Sequence, residues 1–290
     1  MKTPKNLLGT LLRQWRKSRN VSQLELALRA NTSQRNVSFV ESGRTRPSRD
    51  MVLKLADALD LPLRARNEVL LAAGFAPFYP ERRLTSAGME LPYRVLERML
   101  AHHEPYPAMV LDAGWNMVMH NRAALHVIER SVPAPGLSEF SSPQGVSFLK
   151  LVCDPKGMRS RIRNWTQVGR ALLARLQREA LAYPGGPSEV QLRYLVTHNL
   201  LPAFSASEPP LEAVIPVELE LGDKCLRLFN TLTTFGTPQD VMLQELRIEM
   251  SFPADNSSDG ILRDWEIHGS APASNSSAVW KTNVPSKNAP

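Results

Sequence analysis

The stretch "SQRNVSFVESGRTRPS", residues 33–48, packs short polar side chains, one apolar pair and three arginines into a segment too short to be a domain. In the DNA major groove Gln bonds both edge atoms of adenine and Arg both of guanine. Gln34, Arg35 and Ser38 therefore offer base-reading chemistry if they share the outward face of a helix. Val37 and Val40, three apart, supply that helix with an inward pair and leave Gln34, Arg35, Ser38 and Phe39 facing out. Arg44 and Arg46 follow at once, where cations meet phosphates, contacts that position a protein without specifying sequence. Ordinary solvated surface is the competing reading for these two and for Arg49.

Such side chains need elements that hold them. Ser33 is placed to cap the proposed helix, and Gly43 to end it in the left-handed conformation common at helix C-termini. Upstream, Ser22 with Glu25 makes a capping box ahead of the stripe Leu24, Ala27 and Leu28, and "RANTS" forms the turn between the two helices. Leu8, Leu11, Leu12 and Trp15 predict an earlier helix; Ser48 caps a later one through Met51, Val52, Leu55, Ala56 and Leu59. "LP" at 61–62 opens a fifth that closes at Gly74. The expectation is an all-α bundle of five short helices containing a helix-turn-helix.

Charge agrees with that placement. Up to position 80 the chain holds 14 Lys and Arg against 6 Asp and Glu, while the remainder carries a net −1. A positive excess confined to one end marks a domain facing a polyanion, with double-stranded DNA ahead of an anionic membrane because no helix is both strongly basic and broadly apolar. No apolar run approaches the ~18 residues of a membrane span, and no cleavage site follows the basic start, so the expected location is the cytoplasm. Cys153 and Cys225 form no disulfide framework or metal pair.

The length of 290 residues leaves room for a second domain. After a proline-rich stretch, a helix is expected over about 92–103, then a hairpin in which Met109 and Leu111, and Trp115, Met117 and Met119, alternate around "DAGW". A helix around 162–182 carries Trp165, Val168, Leu172 and Leu176 on one side. "AVIPVELEL", "CLRLFNTLTTF" and "VMLQELRIEM" read as three strands. The sum is an α+β domain with an antiparallel sheet. Its surplus of large apolar side chains, Trp115, Met117, Met119, Trp165, Leu172, Phe229 and Phe235, suggests an apolar pocket between sheet and helix, with a solid core as the alternative.

No nucleophile elbow, phosphate loop, dinucleotide fingerprint or zinc signature is present, so neither an enzyme nor a cofactor is expected. His102, His103 and Glu104 lack a further metal ligand at useful spacing; Asp112 is read as starting the hairpin turn and Asn121 as a helix cap.

"SQLELALRANTSQRNVSFVESGRTRPS" resembles the Xre/Cro/cI class of repressor domains. The resemblance implies a phosphate contact at Gln23, base-reading positions at Gln34, Arg35 and Phe39, with Ser33 and Ser38 beside them, and a structural ion pair between Arg16 and Glu41. Phe39 departs from the polar residue usual there and either meets a thymine methyl or packs. Together with "HEPYPAMVLDAGWNMVMHNRAA" and "TFGTPQDVMLQELRIEMSFPAD", the chain resembles the MmyB-type regulators, which join this domain to a PAS-like ligand-binding domain. What this implies is a one-component transcription regulator. The apolar set above, which offers no strong cationic clamp, favours a small apolar effector, fatty-acid-like or aromatic, and the few contacts one such module makes on DNA favour a homodimer. The rival is a ligand-free second domain serving dimerisation or protein contact. Expected boundaries are 1–76 for DNA binding, 77–91 for a linker, 92–255 for the second domain and 256–290 for an unfolded tail.

Overall fold

The structure, a computed structural model, describes residues 6–132, 136–142, 145–202 and 214–268. The chain divides into two units. The first takes the residues up to Arg82 with the later segments Glu179–Gly186 and Phe235–Gln244; the second takes Arg83–Arg178, Pro187–Thr234 and the residues from Glu245 on.

In the first unit the helices are α1 (Leu7–Ser18), α2 (Gln23–Arg29), α3 (Gln34–Ser42), α4 (Arg49–Ala58) and α5 (Leu63–Ala72). The serine caps fall where the sequence places them: Ser22, Ser33 and Ser48 each accept from the backbone N–H three residues on, relieving one of the donors a helix start leaves unpaired. The Glu25 carboxylate does not complete a capping box; it pairs with Arg29 one turn along. Leu12, Trp15, Leu26, Val37, Val40, Val52, Leu55 and Leu70 meet in one buried core. α1 and α3 come close at Gly9, where an added Cβ would lie 2.3 Å from the Glu41 carbonyl oxygen.

The expected linker start is a correction. Asn67 of α5 accepts from the backbone N–H of Phe78 and of Tyr79, each at 3.0 Å, and donates to the Tyr79 carbonyl at 2.7 Å, so residues to Arg82 stay with the first unit. One buried amide side chain satisfies three backbone groups there, which proline-rich composition does not reveal.

The second unit opens with α6 (Glu90–His102) and the hairpin β1 (Ala108–Leu111) and β2 (Asn116–His120), then α7 (Arg122–Ser131). Short strands β3 (Ser141–Ser142) and β4 (Gly145–Ser147), which the sequence reading missed, lead to α8 (Phe148–Cys153), α9 (Trp165–Ala182) and α10 (Pro187–Thr197). The late strands are β5 (Val217–Leu221), β6 (Lys224–Thr233) and β7 (Arg247–Pro253); α11 (Val241–Glu245), between β6 and β7 in the chain, belongs to the first unit up to Gln244. All pairings are antiparallel, in the order β3-β4-β2-β1-β7-β6-β5. Asp112 Oδ1 accepts from Asn116 N–H at 2.8 Å in the hairpin turn, and Asn121 caps α7 through Ala124 N–H at 2.9 Å, the two local roles expected of them.

The expected unfolded tail is overturned in part. Beyond Pro253 the chain forms α12 (Asn256–His268), whose Ile261 and Leu262 are buried in the second core and whose Ser258 hydroxyl accepts from Arg227 N–H at 2.9 Å. With Trp265 packed beside them, these aliphatics give the helix an apolar face that its Ser, Asn and Asp content disguises. Residues 269–290 lie outside the described residues.

Candidate functional site

α2, the turn at Ala30–Ser33 and α3 form the helix-turn-helix. Gln34 and Arg35 are exposed in the first turn of α3, Ser38 and Phe39 half-exposed one turn on, while Val37 and Val40 are buried. Gly43 ends the helix at φ +75°, and its N–H returns to the Phe39 and Val40 carbonyls. Arg44 and Arg46 follow on exposed backbone.

Phe39, left open by the sequence, has a definite setting. The Arg35 guanidinium lies 5.1 Å from its ring centroid and that of Arg44 5.8 Å, both within cation–π range. The ring thus gathers two cations on the exposed face.

Beneath that face Glu41 is buried and pairs with Arg16 through two bonds, Nε to Oε1 at 2.6 Å and Nη2 to Oε2 at 3.0 Å. Burial would raise the Glu41 carboxyl; the Arg16 and Gln23 hydrogen bonds and the charges of Arg16 and Arg13 outweigh it and hold it below its ordinary value. Gln23 has a further role that the sequence did not show: its amide nitrogen donates to Glu41 Oε2 at 2.8 Å, tying the start of α2 to the end of α3.

The second unit contains a cavity of about 90 Å³ between sheet and helices. β1 supplies Met109, α7 Val127 and Ile128, α8 Val152, and α9 Val168 and Leu172. Its polar lining comes from Asn230, Glu249 and Ser251. Asn230 stands opposite Ser251 in the β6–β7 register, and Glu249 lies two residues along on the same face.

Of the seven residues expected around a pocket, Leu172 is on this wall. Trp115 and Met117 are core: Trp115 is fully buried, with the Arg175 guanidinium 4.1 Å and that of Arg247 5.4 Å from its ring. Met119 pairs with Val110, the neighbour of cavity-facing Met109, and so points to the other side of the sheet. Phe229 likewise turns away and stacks on Phe252 at 5.5 Å. Trp165 packs half-buried against the core under Arg159, and Phe235 lies in the segment that groups with the first unit.

Glu249 and Ser251 were missed because in "RIEMSFP" the apolar set is Ile248, Met250 and Phe252, and alternation assigns the polar set to solvent. Here Glu249 and Ser251 are buried, 5% and 6% exposed. The only sequence signal is an acid amid a strand otherwise rich in apolar residues.

The other clusters are structural. His103 Nε2 lies 2.8 Å from the Ser251 carbonyl oxygen and its ring meets Phe252 edge-on. No group of three or more His, Cys, Asp and Glu suited to a metal occurs among the described residues, and no helix there is long and apolar enough to cross a membrane.

A basic helix-turn-helix unit followed by a cavity-bearing α+β unit defines the class: a helix-turn-helix DNA-binding regulator with a ligand-binding domain. The helix-turn-helix family matches residues 12–65, and the family described as the MmyB-like transcription regulator ligand binding domain matches residues 93–264, more than half of the chain. The chain belongs to the MmyB-like transcription regulators. No curated protein matches it significantly. Among solved structures, the PAS domain of Bordetella pertussis BvgS is similar at 14% identity, covering 61% of this chain and 99% of that one, with a TM-score of 0.24. An RNA-binding light-oxygen-voltage receptor is similar at 9% identity, 91% and 62% coverage and a TM-score of 0.26.

Proposed function

We propose that the chain is a one-component transcription regulator of the Xre type that reads a specific duplex sequence with α3, works as a homodimer, and alters its DNA binding when a small apolar effector, chain-like or aromatic, enters the cavity of its second unit. The observation that carries the DNA half is the outward set on α3: Gln34 and Arg35 exposed and Ser38 half-exposed, with the Arg35 and Arg44 guanidinium groups gathered on Phe39. The mainly aliphatic wall broken by one polar corner supports the effector half, since ligand sites are commonly built so. Nothing in this reading calls for catalysis; its currency is binding free energy.

The test is selection of bound duplexes from a randomised library, with and without a panel of short-chain and aromatic compounds. One recovered motif whose affinity shifts with a compound is the expected result. Affinity that depends on duplex length and salt alone would sink the specificity claim.

A further inference from the structure

We propose that effector occupancy reaches the DNA-binding unit through two stretches of the later chain, the end of α9 and residues 235–244, each of which leads from the cavity wall and finishes the fold of the first unit. This rests on the effector reading above and supplies its route.

The first unit is not complete within the residues up to Arg82. α5 begins at Leu63 behind Pro62, which offers no side-chain cap, and the donor left at that helix start is met from far along the chain: Leu63 N–H donates to Gln244 Oε1 at 2.7 Å. Val241 N–H donates to the Pro80 carbonyl at 2.9 Å, and the buried Asp240 carboxylate accepts from Arg82 Nε at 3.0 Å. The Tyr183 ring packs on Trp15 of α1 with centroids 5.4 Å apart, and its hydroxyl donates to Glu68 of α5 at 2.8 Å. All of these residues group with the first unit.

Both stretches start at the cavity. α9 walls it with Val168 and Leu172, and Tyr183 follows Leu172 by about 16 Å of helix rise, its N–H closing the last turn on the Glu179 carbonyl at 2.9 Å. Residues 235–244 join β6 to β7, the strands that bring Asn230, Glu249 and Ser251 to the polar lining. A change in either wall therefore displaces Tyr183 or Gln244 with the backbone that carries it. At the receiving end, Trp15 is followed by Arg16, whose guanidinium holds Glu41 at the end of the recognition helix α3. Two states result. Tyr183 and Gln244 are seated, with Trp15 covered and α5 capped, or they are withdrawn; an effector acts by favouring one of the two.

The experiment is a double-mutant cycle in the full chain and needs no ligand. Ile128→Trp fills the cavity from α7, away from both stretches. Its effect is read as amide hydrogen exchange at Leu63 and along α1, with affinity for the duplex recovered from the library as a second readout. In the otherwise unchanged chain it should alter exchange at these amides by at least about fivefold, the lower end of usual allosteric coupling. With Tyr183→Ala and Gln244→Ala also present, that change should disappear. Where circular dichroism shows a variant unfolded, Ile128→Phe, Tyr183→Leu or Gln244→Met, closer in volume, replaces it with the same expectation. An equal change in both backgrounds, or none in either, overturns the route. The expected cycle alongside a screen in which no compound shifts DNA affinity supports the route and overturns the effector reading alone.

Discussion

Phe39 occupies a position where a polar base-reader is usual, and its ring instead collects Arg35 and Arg44. The proposed reading gives those two arginines separable jobs. Arg35→Ala should weaken specific binding by about 1–3 kcal/mol and blur preference at one base position, whereas Arg44→Ala should weaken all sequences alike and lower the salt slope by about 1. Library binding at two salt concentrations distinguishes them; an even loss from both would mean that α3 is not the reading helix. Glu41 makes a different prediction. Removing it strands the largely buried Arg16 charge, so Glu41→Ala should cost about 3–5 kcal/mol of stability in urea unfolding. Because the folded carboxyl sits below its ordinary value of 4.5, its contribution is fully present above pH 4.5 and is lost as pH falls through the lowered folded value. The urea midpoint of Glu41→Gln should show less of this acid loss than the wild type.

At the scale of elements, α3 ends because Gly43 adopts φ +75° with Asn6 packed against it; an added Cβ would lie 2.8 Å from the Asn6 side-chain carbon. Gly43→Ala should therefore cost about 1–2 kcal/mol from the backbone alone, with further loss from the Asn6 contact, measurable as a lowered unfolding midpoint. In the second unit the sheet decides which residues face the cavity. Filling the wall by Ile128→Trp should abolish effector-dependent changes in DNA binding, while Met119→Trp, on the other side of the sheet, should leave them intact. Equal loss from both, with each variant folded by circular dichroism, would place the responsive site elsewhere. Helix existence was legible here from caps and periodicity, since Ser22, Ser33, Ser48, Asn121 and Gly43 act within one turn of themselves. The inward polar face of β7 was not, because alternation names two faces without saying which is covered.

At the scale of the molecule, the positive excess belongs to the first 80 residues, where the helix-turn-helix lies. One module of this size makes few contacts, and symmetric pairing doubles them, so a two-fold operator is expected with half-sites about 34 Å apart, or a multiple of that spacing. Footprinting with sedimentation of the complex checks it. A monomer protecting one half-site would contradict it.

By itself the sequence determined what depends on near neighbours: capped helices, the turn between α2 and α3, the outward set on α3, the hairpin at Asp112, and a charge confined to one end. Tertiary structure alone decided what depends on residues distant in the chain. It tied Gln23 to Glu41, sent Met119 and Phe229 away from the cavity, docked α12 and brought Glu249 beside Asn230. The physical reason is that caps and turns are satisfied within a few residues, whereas the environment of a strand residue is set by which elements cover its two faces, and those come from far along the chain.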